Sequence, residues 1–139
     1  MITGIPTVNV WVNDQDEALA FYTGKLGMEV RADVTVPEMG NFRWLTVGVP
    51  GQDSVAFVLM TIPGPPVYDE ATAAALGELV AKGAGGAFFL ATNDCRGDYE
   101  ILKARGVEFV MEPTVMPYGL DAAFRDPFGN HFRFVQQDV

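Results

Sequence analysis

The sequence predicts an α+β fold in which two β-α-β-β-β modules form a cup-shaped, partly open eight-stranded sheet with helices outside. Two observations predict this fold. Residues 7–14 and 87–94 both alternate as strands do, and both end in Asn-Asp, which can begin a helix. A related turn and strand start follow each helix, with G-M-E-V at residues 27–30 and G-V-E-F at residues 106–109. The repeated order of elements indicates a duplicated module.

The first module is expected at about residues 4–62. Its first strand, at residues 5–12, places three valines on one face. Asp14 can cap the helix that follows, and Gly27 ends that helix. Three strands then complete the module, at about residues 28–36, 42–49 and 54–62.

A Pro-Gly-Pro-Pro break starts a bridge at about residues 63–84, and Asp69 can cap the short helix within it. The second module, at about residues 85–137, has a strand and a helix and then three strands near residues 107–112, 121–125 and 131–136. Residues 1–139 are thus interpreted as a single domain made of two modules and a bridge.

The turn D-P-F-G-N at residues 126–130 leads into the last strand. Pro127 is preset for the first corner of this turn, while Gly129 and Asn130 tolerate a positive φ. The strand that follows alternates polar and apolar residues. One of its faces therefore carries His131, the only histidine of the chain.

The composition is that of a globular protein with an acidic surface. Nine Lys and Arg against eighteen Asp and Glu give a net charge of −9, which repels phosphate backbones, so nucleic acid is not an expected partner. No apolar run is long enough to cross a bilayer, and the N-terminus lacks a secretory pattern. We therefore expect no membrane partner and a cytoplasmic location. The single Cys95 excludes an internal disulfide within one subunit.

The motifs of both modules resemble the vicinal oxygen chelate superfamily, which includes glyoxalase I, bleomycin-resistance proteins and extradiol dioxygenases. The resembling residues are V-N-D at 12–14, A-F-Y at 20–22, L-G-M-E-V at 26–30, L-K-A-R-G-V-E-F at 102–109 and F-R-D-P-F-G-N at 124–130. The resemblance covers nearly the whole chain and implies a small-molecule ligand and a homodimer.

The resemblance also implies four cup-facing positions that hold a divalent metal in metal-dependent members. Those positions fall on Thr7, Val58, Ala87 and Arg133. Valine and alanine cannot ligate through their side chains, threonine is a poor ligand, and an arginine repels a cation. We therefore expect no metal site and no cofactor.

The cup is expected to be lined mainly by apolar and aromatic side chains with a few polar anchors, as small-molecule pockets usually are. From strand alternation and the resemblance, the candidate ligand-binding residues are Thr7, Asn9, Trp11, Val58, Phe89, Tyr118, His131 and Arg133. The face to which Trp44 belongs is not fixed by the pattern.

Arg133 and His131 are the polar candidates. The planar fork of Arg133 can hold a carboxylate, a phosphate or an enolate, or it can pair with a nearby acid such as Glu112 or Asp121. His131 is the catalytic candidate as an acid or base, and its alternative is a hydrogen-bonded structural role.

The aromatic candidates have alternatives too. Trp11 and Phe89 can stack on a ligand or fill the floor of the cup. The segment at residues 113–119 can form a lid with Tyr118 pointing inward, or a stiff connection between two strands.

Three functions are compatible with these features. The first is binding of a small organic molecule for sequestration or resistance, without the metal. The second is a metal-independent lyase or isomerase that uses His131 as base and Arg133 to hold an oxyanion. The third is a metal-dependent lyase or dioxygenase with ligands from a partner subunit.

Overall fold

Two four-stranded sheets make up the fold, and a computed structural model describes residues 1–137 of the chain. The chain divides into two compact units, Met1–Ile62 and the part that begins at Pro63, and each unit contains one of the sheets. The predicted α+β class and the β-α-β-β-β order of both modules are confirmed.

In the first unit, strand β1 lies beside β4 in parallel, and β4, β3 and β2 pair in antiparallel fashion, giving the order β1-β4-β3-β2. Its helix α1 continues directly into a π-helical segment. The elements are β1 Thr7–Trp11, α1 Gln15–Leu19, the π-helical Ala20–Lys25, β2 Glu29–Val36, a 3-10 turn Pro37–Met39, β3 Phe42–Gly48 and β4 Ala56–Met60.

The second unit repeats this topology with the strand order β5-β8-β7-β6, again with the first and last strands parallel. Helix α2, which was predicted in the bridge, precedes its sheet. The elements are α2 Glu70–Ala81, β5 Ala87–Ala91, α3 Cys95–Ala104, β6 Glu108–Met116, β7 Gly119–Arg125 and β8 His131–Gln137.

The two modules begin their helices in the same way, as the sequence repeat predicts. The carboxylate of Asp14 accepts the backbone N–H of Glu17 at 2.9 Å, and that of Asp94 accepts the N–H of Gly97 at 3.0 Å. Each aspartate thereby satisfies one of the free N–H groups of a helix start. The Asn-Asp repeat therefore encodes two matching N-caps.

Each sheet has one face packed against the helix of its own module. In the first unit, the ring of Phe57 meets that of Tyr22 from the helical segment, with 6.4 Å between the ring centroids. In the second, Phe109 meets Tyr99 of α3 at 4.6 Å. The face of each sheet opposite to these contacts is called its open face.

An aromatic cluster fills the helix side of the second sheet. Phe124 and Phe132 are fully buried cross-strand partners whose rings stack with centroids 5.2 Å apart. Phe88 stacks on the other side of Phe132 at 5.0 Å. Because buried rings of this size remove a large apolar area from water, this cluster dominates the core of the unit.

The turn at residues 126–130 is held by the buried carboxylate of Asp126. Its Oδ1 accepts the backbone N–H groups of Phe128 at 3.0 Å and Asn130 at 2.8 Å, and its Oδ2 accepts the amide of Asn130 at 2.7 Å. Gly129 has the predicted positive φ, at 100°, but Asn130 does not. Asn130 instead contributes its side chain to the turn.

The segment at residues 113–119, for which a lid and a stiff connection were the two alternatives, is mostly β-strand. Strand β6 continues to Met116 and pairs with β7, with Thr114 opposite Asp121 and Met116 opposite Gly119. The register shifts between Met111 and Thr114, and Pro113 lies within this irregularity, where no ladder N–H is needed. The connection between the two strands is therefore only the turn at residues 117–118, which is closer to the stiff connection than to the lid.

None of the helices in residues 1–137 combines the length and the apolar character needed to span a membrane.

Candidate functional site

The open face of the second sheet carries most of the polar candidates. The strand registers place Phe89 beside Arg133 and Ala87 beside His131 across β5 and β8. Across β7 and β8 they place Arg125 beside His131. Because partners in register share a face, the predicted facing of Phe89, His131 and Arg133 agrees with the structure.

A concave pocket of about 740 Å³ lies at the carboxyl ends of β5 and β8. Two aromatic side chains in its wall are notably accessible, with Phe89 68% and Tyr118 44% exposed. Both were ligand-binding candidates from the sequence. The pocket is lined by Phe89, Leu90, Ala91, Thr92, Asn93, Tyr118, Val135, Gln136 and Gln137.

Tyr118 is fixed at the pocket wall by a chain of hydrogen bonds. Its hydroxyl donates to Asp121 Oδ2 at 2.5 Å, and the guanidinium of Arg133 lies 3.1 Å from the same oxygen. The side chain of Asp121 is fully buried, whereas that of Arg133 is 29% exposed. The hydrogen bond to Asp121 raises the pKa of Tyr118 above its usual value, because it favours the protonated phenol. The hydroxyl therefore stays protonated near neutral pH.

Arg133 is therefore paired within the protein, with Asp121 rather than Glu112 as its partner. Its Nη2 also approaches Met111 Sδ at 3.7 Å. A guanidinium held by a buried carboxylate has less capacity left for a ligand anion. Arg133 is best described as the residue that holds Asp121 in place beneath Tyr118.

His131 lies at the start of β8, half-buried. Burial lowers the pKa of its imidazole, the positive charges of Arg125 and Arg133 lower it further, and Asp121 opposes them. The imidazole is thus neutral near neutral pH and can donate one N–H and accept at the other nitrogen.

From the sequence, Arg125 was recognised only as part of a family motif. It stands on β7 with Glu108 of β6 on one side and His131 of β8 on the other. Its Nε is buried and meets no acceptor in the described part of the chain. Strand alternation could have identified it, since Arg125 lies four residues from Asp121 on the same strand and therefore shares its face.

Thr7, Asn9, Trp11 and Val58 lie together on the open face of the first sheet. Asn9 is exposed and is the register partner of Val58, which is buried with 3% exposure. Val58 also pairs with Thr46 of β3, and Trp44 lies two residues before Thr46 on that strand. The structure therefore places Trp44 on the same open face, which the sequence left undecided.

The residues at the family's four metal positions do not fit a divalent cation. Val58 and Ala87 have no side-chain donor atoms, and Arg133 is a cation already paired with Asp121. Within residues 1–137, no group of three or more His, Cys, Asp or Glu side chains is close enough to hold a metal ion.

Cys95 starts helix α3 and is buried. Burial raises the pKa of its thiol, and the charge of Asp121 raises it further. A thiol that is buried and protonated is a poor nucleophile.

The family model of the Glyoxalase/Bleomycin resistance protein/Dioxygenase superfamily matches residues 4–134. The chain belongs to this superfamily, and the resemblance drawn from the motifs is confirmed. The match covers both modules and the bridge.

Similar proteins include both antibiotic-binding and uncharacterized members. The crystal structure of UcmS2 is 46% identical, with a TM-score of 0.88, and covers 97% of this chain and 98% of its own. TnmS3 of Streptomyces sp. CB03234, described as an antibiotic binding protein, is 28% identical with a TM-score of 0.76 and covers 99% of this chain and 98% of its own. The uncharacterized protein YurT of Bacillus subtilis (strain 168) is 35% identical over 133 residues, which are 96% of this chain and 98% of YurT.

Proposed function

We propose that this protein binds a small organic molecule with an aromatic ring system and sequesters it without changing it. The observation that carries the proposal is the pocket of about 740 Å³ beside the exposed rings of Phe89 and Tyr118. A volume of this size suits a drug-sized ligand.

The exposure of Phe89 supports stacking. With 68% of its surface accessible, the ring lies on a strand but outside the core that Phe88 and Phe132 form. Covering an exposed ring with a flat apolar ligand removes apolar surface from both partners. Ala91, two residues further along β5, also lines the pocket.

Tyr118 supplies orientation as well as surface. Because its hydroxyl donates to Asp121, the ring is held in one position before any ligand arrives. A rigid aromatic wall loses little conformational entropy on binding. The similarity to TnmS3, an antibiotic binding protein, supports a small organic ligand for this chain as well.

The test is a thermal-shift and calorimetric screen of the purified protein against polycyclic aromatic natural products. We expect saturable binding of at least one compound, with Phe89→Ala weakening it at least about tenfold through lost stacking. Ile101→Ala, which removes another half-exposed apolar side chain but from helix α3, is the matched control and should bind as wild type does.

Sequestration and catalysis are separated by recovering the compound. Mass spectrometry after unfolding the complex should return the ligand unchanged and in full. Turnover that is lost in His131→Gln would instead support the metal-independent lyase or isomerase. If a compound bound wild type and Phe89→Ala with the same affinity, its binding site would not include Phe89.

The assembly and location of the protein are part of the proposal. From its superfamily we propose a homodimer that works in the cytoplasm. Light scattering of the purified protein should give twice the 15.1 kDa chain mass. A mass of one chain at micromolar concentration would contradict the dimer.

A further inference from the structure

Arg125 differs from the other strand arginines of this protein. Arg31, Arg43 and Arg133 each form an ion pair with a carboxylate. Arg125 forms no ion pair or hydrogen bond with any side chain or backbone group among residues 1–137, and its Nε is buried. Arg31 also has a buried Nε without an acceptor, but its terminal nitrogens bond carboxylates and backbone carbonyls. An arginine with a buried, unsatisfied donor carries a free-energy penalty unless an acceptor reaches it.

The position of Arg125 is fixed by its surroundings. Its guanidinium lies directly against Gly83, just after the end of helix α2, where a β-carbon on Gly83 would collide with it. Gly83 also has a φ of 81°, which favours glycine. The guanidinium is thus positioned by close packing against the Gly83 backbone, which has room for it because residue 83 has no β-carbon. No acceptor among residues 1–137 binds its Nε.

The register partners of Arg125 on the open face do not form an ion pair that neutralises its charge. Glu108 is its register partner on β6 but forms no ion pair with it in the described residues. His131 is its partner on β8, and the neutral imidazole offers an N–H donor beside the guanidinium. An arginine fork can hold an oxyanion in two parallel hydrogen bonds, and a neighbouring imidazole N–H can add a third.

We propose that Arg125 and His131 form a binding site for the oxyanion of a carboxylate or a phosphate. The site is separate from the aromatic pocket, since His131 and Val135 are four residues apart on β8, or about 13 Å. A ligand with both a ring system and an acidic group can occupy both. The anion site does not depend on the proposed function, because a small anion without a ring can fill it.

Arg125 could instead serve only to cover the end of α2, where a cation stabilises the free carbonyls. That role requires no external anion. It predicts that Arg125→Gln lowers the thermal midpoint but that no anion changes the wild-type protein. The two roles therefore give different results in a titration of the wild type alone.

The test follows the imidazole resonance of His131 by NMR, which is unambiguous because the chain contains one histidine. Acetate and inorganic phosphate are added separately at pH 7.5, with chloride keeping the ionic strength constant. We expect a saturable shift with one or both anions, half-complete at about millimolar concentration. The stronger response identifies a carboxylate or a phosphate as the preferred group.

The variants test which residue carries the anion. Arg125→Gln should weaken the response at least about tenfold, whereas Arg96→Gln, the same charge change at an exposed position of α3, should leave it intact. Arg125→Lys keeps the charge if the glutamine variant fails to fold, and should retain part of the response. The proposal is overturned if no anion gives a saturable shift in the wild type, or if Arg125→Gln responds as the wild type does.

Discussion

Arg133 and Asp121 form an ion pair across β7 and β8, with Nε 3.1 Å from Oδ2, and the carboxylate side of this pair is completely buried. Tyr118 donates its hydroxyl to the same oxygen. The arginine that the sequence offered as a ligand anchor is therefore a support for the aromatic wall of the pocket. Among the strand arginines, Arg125 on the neighbouring strand is the one without an ion pair to a carboxylate of residues 1–137.

Replacing Asp121 by Asn should destabilise the protein. The change leaves the shape and an acceptor for Tyr118 but removes the charge that neutralises Arg133. We expect the free energy of unfolding to fall by about 2 kcal/mol, below the usual range for a fully buried pair because Arg133 can turn toward solvent. Urea unfolding at pH 7 measures it.

The control for this prediction is Asp53→Asn. Asp53 pairs with Arg31 at 3.2 Å, but its side chain is 91% exposed, so solvent screens the pair. Its loss should be much smaller than that of Asp121→Asn. Equal losses would mean that the pair of Arg133 and Asp121 contributes no more than a surface contact.

The stability of the protein should decrease as the pH falls through the titration of His131. Burial and the charges of Arg125 and Arg133 lower the pKa of the folded imidazole below its usual 6.5, although Asp121 opposes them. The unfolded chain therefore binds the proton more readily than the folded one. The resulting penalty is absent well above pH 6.5 and is fully present below the folded pKa.

Urea unfolding of wild type and His131→Gln between pH 5 and 8 measures this penalty. The glutamine cannot titrate, so the variant should gain stability relative to wild type as the pH falls. An NMR titration of the single imidazole gives the folded pKa directly. A midpoint above 6.5, or parallel stability curves for the two proteins, would contradict the prediction.

Gly129→Ala should destabilise the turn before β8 for two reasons. The new β-carbon would clash with nearby backbone atoms, and the positive φ strains a residue other than glycine. Its φ is 100°, and a β-carbon would lie 2.5 Å from the carbonyl oxygen of Val80 and 2.6 Å from that of Ala81. We expect the free energy of unfolding to fall by about 3 kcal/mol, because backbone atoms at the end of α2 cannot move aside cheaply.

The matched control is Gly51→Ala. Gly51 has a φ of 89°, but a β-carbon there meets nothing within 4 Å. Its cost should be the backbone strain alone, about 1 kcal/mol. If both variants lost the same stability in urea unfolding, the packing of the turn against α2 would carry no energetic weight.

Much of the fold could be predicted because its signals are local. The caps at Asp14, Asp69 and Asp94 act within three residues, and the alternation along β1 and β5 is visible in single short stretches. The error at residues 113–119 had a local cause too. Two prolines and a glycine were interpreted as a loop, but Pro113 lies at a bulge and the strand continues past it.

The candidate site was predictable only in part. Strand parity correctly put Phe89, His131 and Arg133 on one face, since alternation is a property of the chain itself. The partner of Arg133 was left open between two acids, because several acidic positions were within reach along the sequence. Arg125 was missed as a site residue because its lack of an acceptor for Nε is visible only in the tertiary structure.

The sequence by itself determined the duplicated modules, the helix starts and the faces of strands β1, β5 and β8, because each depends on residues a few positions apart. Tertiary structure decided which charges meet. It buried Asp121 beside Arg133 and placed Arg125 against Gly83, with no carboxylate of the described residues paired to it. The physical reason is that ion pairs act over a few ångströms between strands, and only the register of those strands fixes such distances.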